Sequence, residues 1–586
     1  MDTTLRDGRQ NRLPKHERLE HPSPDRVQAA VRHALLAREF GCRYIDAGVA
    51  IANDGGFSRS IVESIARANS DRGDMSILGF TLAEKECIDR TVSAVQRAAR
   101  RGVALLVSLS RHHLPKYAKH FPGIMRKNTH INQRLNDIFE AKLVEFTDAV
   151  AHAASLRRRG DMQDIHLYLE DASRMDLKSL VRATKVLIDA GATSVSYPDT
   201  MGVRTPHMYV RMFRDAFARL GDDLIERVLW SAHCHNDFGS AVENTMEVAR
   251  AGLVQILEVT FGGGGPGEGA GNADGNALCN RLLPAGHEWE EELPPHLQEL
   301  GLDAGLLLPL NQAASEFLGR KIPDKSSVVG HAAERVTEVG IHSAGELDSE
   351  EFRREHPDAD VVGMYTHDFR RFGVPIRRRF DVGPWQSKRG MMGAMHERHI
   401  CVEGIDADHA HETAIRMTND LGYTLTDEHL QMVAWEARHP EEKRFLQVDF
   451  GTISLQSSES SLQTIEFVLQ CKDKAILLKG SGTGALAAFV DAIDNFMKEN
   501  FQVSVDIAFL DPRFELCSQT HANSSVVSPA RDAVALLDMR FAFNTEQIGG
   551  FGIDANQVYA GCKACLLATN RWLSEKRGHI QRRTFL

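Results

Sequence analysis

Between residues 42 and 261, short apolar runs alternate with amphipathic stretches, and this alternation constrains the fold more than any other feature. The runs are "CRYIDAG", "MSILGFT", "ALLVSLS", "IHLYLE", "TSVSYPD", "VLWSAHCHN" and "VQILEVTF". Their spacing is roughly thirty residues, with one gap of about sixty that holds "HINQRLNDIFEAKLVEFTDAVAHAASL". Stretches between them, such as "VRHALLAREFG" and "SLVRATKVLIDAGA", end in glycine as helices commonly do. Strand, helix, strand at this period implies parallel βα units. Seven such strands with a remnant at "MDTT" make eight, the number in a (β/α)8 TIM barrel of about 250 residues. A chain of 586 residues therefore holds more than the barrel.

A barrel of this kind places its chemistry at the C-terminal ends of its strands. Polar residues stand at those ends: Asp2, Arg6, Asp7, Asp46, Ser108, Ser110, Glu170, Asp171, Asp199 and Thr200, then "HCHNDFG" from His233 to Gly239. Alternate strand side chains share a face, so His233 and His235 point together while Cys234 points away. Two imidazoles so placed have metal-ligand spacing. One such pair among 26 histidines can arise by chance; so many polar groups converging on one rim favour an active site.

The net charge of -11 is spread without a basic face or a Lys/Arg block, which argues against nucleic acid or an anionic membrane as partner and for small molecules. Nine cysteines scattered along the chain, and no charged-then-apolar opening, predict a reduced, cytoplasmic compartment. No apolar run approaches the ~20 residues that span a bilayer.

Three motifs in order, "DTTLRDG", "HCHND" and "GPGEGAGN", together with "EDASR" and "PDTMG", resemble the barrel metalloenzymes that include 2-isopropylmalate synthase, homocitrate synthase, citramalate synthase and hydroxymethylglutaryl-CoA lyase. The resemblance covers residues 1–285, the expected catalytic domain. It implies a divalent ion, Mg²⁺, Mn²⁺ or Zn²⁺, held by Asp7, His233, His235 and Asn272, a donor set that suits such ions. It further implies that Arg6 stabilises charge on a 2-oxo acid's keto oxygen, that Thr200 binds its carboxylate, and that Glu170 orients the site. Selectivity among 2-oxo acids falls to side chains from Ser108 to His113. A glycine turn after a strand also suits phosphate, but no G-K-[ST] follows here and no dinucleotide-binding frame surrounds it. The resemblance instead puts Glu268 and Asn272 on a tight loop bent toward the metal. The loop departs from the synthase pattern in Gly269, where arginine is usual, and in extra glycines before Pro266; Arg9 stands where Glu or Asn is usual.

Gly265 occupies the position of the lyase's catalytic cysteine, and the chain continues for about three hundred residues beyond the barrel. Both favour synthesis. "SSVVGHAAERVTEVGIHSAGEL" resembles the synthases' segment that lends a histidine to the neighbouring subunit, which would be His342, with Tyr365 beside it. Residues 286–444 are expected to form a linker and helical subdomains that contribute to the site. Residues 445–586, with two rounds of strands, glycine turn and helix, resemble an α+β regulatory domain that binds leucine. The expected activity is Claisen condensation of acetyl-CoA with a 2-oxo acid, 2-oxoisovalerate first, in a homodimer or larger assembly. Pyruvate or 2-oxoglutarate as acceptor, and a weakened paralogue acting as a ligand sensor, are the alternatives.

"MDTTLRDG" begins at a motif that the family places at the end of its first strand. A barrel without the residues before Asp2 is expected to show open ladder edges and a frayed anchor for Arg6 and Asp7, which predicts a natural start upstream of Met1.

Overall fold

A computed structural model describes the chain apart from residues 11–24, 128, 284–292, 299, 332–338, 359–368, 376–379, 422–423, 440–445, 451–452, 458–461, 472–473, 508–514, 518–533, 555–556 and 577–586. It divides into two compact units, Met1–Glu334 with Asp368–Ile376, and Arg335–His367 with Arg377–Leu586.

In the first unit, β1 (Tyr44–Val49), β2 (Ser76–Leu82), β3 (Arg101–Ser108), β4 (Asp164–Glu170), β5 (Ser194–Ser196), β6 (Leu229–Ala232) and β7 (Ile256–Leu257) lie in sequence order. Every neighbouring pair is parallel. Asp2 bridges in parallel to both Ile45 of β1 and Val259 just beyond β7. The Asp2 amide donates to Tyr44 O at 3.0 Å, Thr3 N to Val259 O at 3.0 Å, and Asp46 N to Asp2 O at 2.9 Å. Residues 1–3 thus join both edges and close a (β/α)8-type TIM barrel. The expected fraying is not what these residues show: Asp2 to Asp7 are all buried.

The strands are buried on both faces, with alternate residues in different surroundings. Ile45, Ile77, Val103, Leu105, Ile165, Leu167 and Val195 join the layer that packs on the helices. Tyr44, Leu78, Ala104, Tyr168 and Ile256 form a separate cluster within the ring. The intervening helices end as their glycines require: Arg26–Phe40 is followed by Gly41 in the left-handed region, and Leu177–Asp189 by Ala190 and a left-handed Gly191. The sixty-residue gap holds a single long helix, Ile131–Arg158, after short helical turns.

The second unit begins with helices, among them Gly340–Glu355, Lys388–Glu397, Ala407–Leu421 and Asp427–Arg438. Two four-stranded antiparallel sheets follow. One is built on the pair Gln463–Cys471 and Lys474–Gly482 and leads into the helix Ala485–Phe501; the other, on Val534–Phe543 and Glu546–Asp554, leads into Gln557–Glu575. This is the expected repeat, and its glycines have a shared cause. A Cβ at Gly480 would strike the carbonyl of Ala488, and one at Gly550 that of Ala564, so each helix lies directly on its strand. No helix among the described residues is long and apolar enough to cross a membrane.

Candidate metal centre

The turn after Asp2 sets the first pair of site residues. Arg6 N and Asp7 N both donate to Thr3 O, Thr4 N donates to Asp2 Oδ1 at 2.8 Å, and Thr4 Oγ1 accepts from Phe261 N at 2.8 Å. Held this way, Arg6 donates through Nε to Asp46 Oδ2 of β1 at 2.8 Å and pairs through Nη1 with Asp7 Oδ1 at 3.1 Å. Its guanidinium lies 4.6 Å from the Phe80 ring centre and 5.4 Å from that of Tyr168. Burial disfavours the Arg6 charge, but Asp7 and Asp46 outweigh it and hold the group well above its ordinary range.

His233 and His235 follow β6 and point together, while Cys234 joins the layer packed on the helices. His233 Nε2 lies 3.2 Å from Asp7 Oδ2 and 3.3 Å from His235 Nε2, and His235 Nε2 lies 4.0 Å from the same carboxylate oxygen. Asn272 is drawn in by an antiparallel bridge to His235; its amide nitrogen donates to Asp7, and its Oδ1 is buried without a hydrogen-bond partner. The ligand atoms of Asp7, His233 and His235 all lie within 4.8 Å of one another. Two imidazole nitrogens facing each other across a carboxylate, beside an orphaned amide oxygen, are what a divalent cation satisfies. The residues fit such an ion.

The electrostatics push the two imidazoles apart. Burial opposes a charge on His233, yet Glu258 and Asp7 raise it to about 9. Burial and the neighbouring His233 lower His235 to about 4. Burial also opposes ionisation of Asp7, but Arg6 and His233 keep it ionised well below the carboxylate range.

The glycine run shapes the loop that carries Asn272. Gly262, Gly263, Gly264 and Gly265 all have φ between 62° and 111°, the left-handed region open to glycine at little cost. This coil returns the chain so that Asn272 N donates to Gly265 O at 2.8 Å. Glu268 is exposed on this loop, and the described contacts tie its side chain to nothing.

A second cluster sits at the ends of β3 and β4. Glu170 accepts from the Ser108 hydroxyl and lies 3.1 Å from His113 Nδ1 and 3.5 Å from Lys116 Nζ. Burial would raise this carboxyl, but His113 and Ser108 hold it down to about 2. Next to it Asp171, at φ 62°, accepts from Ser110 and Arg174, and its backbone N–H donates to Thr200 Oγ1 at 2.9 Å. Arg9 reaches Ser58 at 2.8 Å and Asp54 at 3.8 Å. His342 is half-buried in the Gly340–Glu355 helix of the second unit; Tyr365 lies outside the described residues.

Sequence reasoning missed Glu258. It stands just after β7, fully enclosed, with its carboxylate against His233. The signal was a lone acid within the apolar run "QILEVTF".

The HMGL-like family matches residues 1–293, and the LeuA allosteric (dimerisation) domain matches residues 424–573. The 2-isopropylmalate synthase of Staphylococcus aureus strain JH9 is 25% identical over 578 residues, covering 98% of this chain and 97% of its own. Among solved structures, the Bacillus subtilis HMG-CoA lyase aligns at 14% identity and a TM-score of 0.39, over 55% of this chain and 94% of its own. The hydroxymethylglutaryl-CoA lyase of Pseudomonas aeruginosa aligns at 17% identity and a TM-score of 0.39, over 55% and 93%.

Proposed function

The chain belongs to the HMGL-like family, and from that premise we infer that it condenses acetyl-CoA with a 2-oxo acid, 2-oxoisovalerate by preference, and then hydrolyses the thioester. The observation that carries this reading is the convergence of Asp7, His233, His235 and Asn272 beside a buried, charged Arg6. A relative named 2-isopropylmalate synthase that matches nearly end to end, and a LeuA domain after the barrel, support synthesis rather than cleavage.

A divalent ion held by those four residues would polarise the acceptor's keto group. The chain's own residues do the rest. Arg6, fixed by two carboxylates and two aromatic faces, presents a pre-oriented positive charge to the oxygen that becomes an alkoxide. The Thr200 oxygen already accepts from Asp171 N, which leaves its O–H to donate to the acceptor's carboxylate. Glu170 holds Ser108 and His113 at the wall that meets the acceptor's side chain. His342, with Tyr365, takes the proton from the acetyl methyl group; the resulting enolate carbon attacks the keto carbon, and water then cleaves the thioester. Residues 1–285 carry the condensation, 286–444 complete the site in a homodimer or larger assembly, and 445–586 bind leucine as effector.

Thiol release from acetyl-CoA with a panel of 2-oxo acids tests the reading. CoA release that depends on 2-oxoisovalerate is expected; no release above background with any acceptor would overturn it.

A further inference from the structure

The barrel interior beneath the imidazoles is polar where barrels of this kind are packed with branched apolar side chains. Its centre is Glu258, a carboxylate with 1% exposure. Such a charge is costly unless every lone pair is occupied. Here Oε1 accepts from Ser196 Oγ at 2.9 Å and Ser231 Oγ at 2.6 Å, with His166 Nε2 3.3 Å away. Oε2 accepts from Tyr168 Oη at 2.7 Å and lies 3.0 Å from His233 Nδ1. These partners come from β4, β5 and β6 and from the residue next after β6, so three strands and the start of the metal loop fix one carboxylate.

We propose that Glu258 is a positioning residue of the metal centre: it holds the proton of His233 on Nδ1 and so commits the Nε2 lone pair to the ion. This rests on the metal reading above and adds a residue to it. An ionised carboxylate can only accept, so the Nδ1 facing it must donate. The nitrogen left is Nε2, the one that faces Asp7 and His235. The hydroxyls of Tyr168, Ser196 and Ser231 hold the carboxylate in place, while His233 is the partner that transmits its position to the rim. A carboxylate behind a ligating imidazole fixes the ring's tautomer and orientation and makes it a better ligand.

The test is a titration of chelator-treated full-length protein with Mn²⁺ alone, free ion being followed by EPR, for wild type, Glu258→Gln and Ser196→Ala. Glu258→Gln should bind Mn²⁺ about 10- to 100-fold more weakly. Ser196→Ala, which leaves Ser231, Tyr168 and His233 on the same carboxylate, should bind as wild type does. In the Zn²⁺-loaded protein, a downfield Nδ1 proton resonance of His233 should be present in wild type and Ser196→Ala and move upfield in Glu258→Gln, where a neutral acceptor replaces the carboxylate. Glu258→Asp, which keeps the charge but shortens its reach, carries the same expectation if Glu258→Gln does not fold. Wild-type affinity in the Glu258 variant, or equal weakening in Ser196→Ala, would overturn the proposal and leave Glu258 as a packing element. Wild type that takes up no Mn²⁺ would instead overturn the metal reading on which it rests.

Discussion

Two polar clusters share one rim of the barrel and are built in opposite ways. At Asp7, His233, His235 and Asn272, buried acceptors and lone pairs converge on each other and leave an amide oxygen unpartnered. At Glu170, one half-buried carboxylate is already met by Ser108, His113 and Lys116. The first cluster holds electrostatic need that a cation relieves, whereas the carboxylate of the second already has a hydroxyl and two basic side chains against it. The difference favours the first for the ion of the proposed reading, which leaves the second to shape its acceptor pocket.

The largest effect expected from breaking this contrast is at the histidines. His233→Ala or His235→Ala should lower turnover by about 10³-fold or more, the several kcal/mol that polarisation by an ion supplies. Melting of the variants should show the barrel intact, since both side chains stand at the rim beyond β6. Glu170→Gln should act differently, lowering kcat/KM by about tenfold while Mn²⁺ affinity is unchanged. Equal loss of metal affinity in both would erase the distinction between the clusters.

The LeuA domain gives a smaller effect of another kind. Leucine should inhibit the full-length enzyme by roughly 5- to 150-fold in apparent affinity for substrate, the usual range of such coupling. Removing residues after 445 should abolish that response while Mn²⁺ binding persists. Full-length enzyme indifferent to leucine would remove the effector assignment.

The smallest effect is on stability with pH. Glu170 is held down to about 2 by His113 and Ser108 against the opposing effect of burial, below its ordinary 4.5. A carboxyl with a depressed folded-state pKa contributes stability that is complete above its unfolded pKa and lost as pH falls through the folded one. Wild type should therefore lose more melting temperature than Glu170→Gln between about pH 4.5 and pH 2. Parallel melting curves would show that these neighbours do not hold the carboxylate ionised.

How much of this was legible in the sequence depended on the range of the interaction. The strand period and the shared face of His233 and His235 are local, and the structure has them as expected. Asp7 and Asn272 meet across 265 residues, and no spacing argument joins them; only the family resemblance did. Glu258 escaped because a single acid inside an apolar strand carries no period. Its partners Ser196 and Ser231 read as small strand residues rather than as a cage, as does Ser194, which bonds His166 Nδ1 at 2.8 Å. The edges expected to stand open are joined at residues 1–3, which are too short a run for a strand count to register. Three residues, Met1 to Thr3, hydrogen-bond to β1 on one side and to Val259 after β7 on the other.

The central claim is that the buried cluster is a metal centre on which condensation depends. Its most direct test is CoA release by chelator-treated protein as Mn²⁺ is returned. Without the ion no turnover is expected, and turnover should recover in proportion to one ion bound per chain, a recovery absent in His233→Ala. Full turnover in ion-free protein would contradict it.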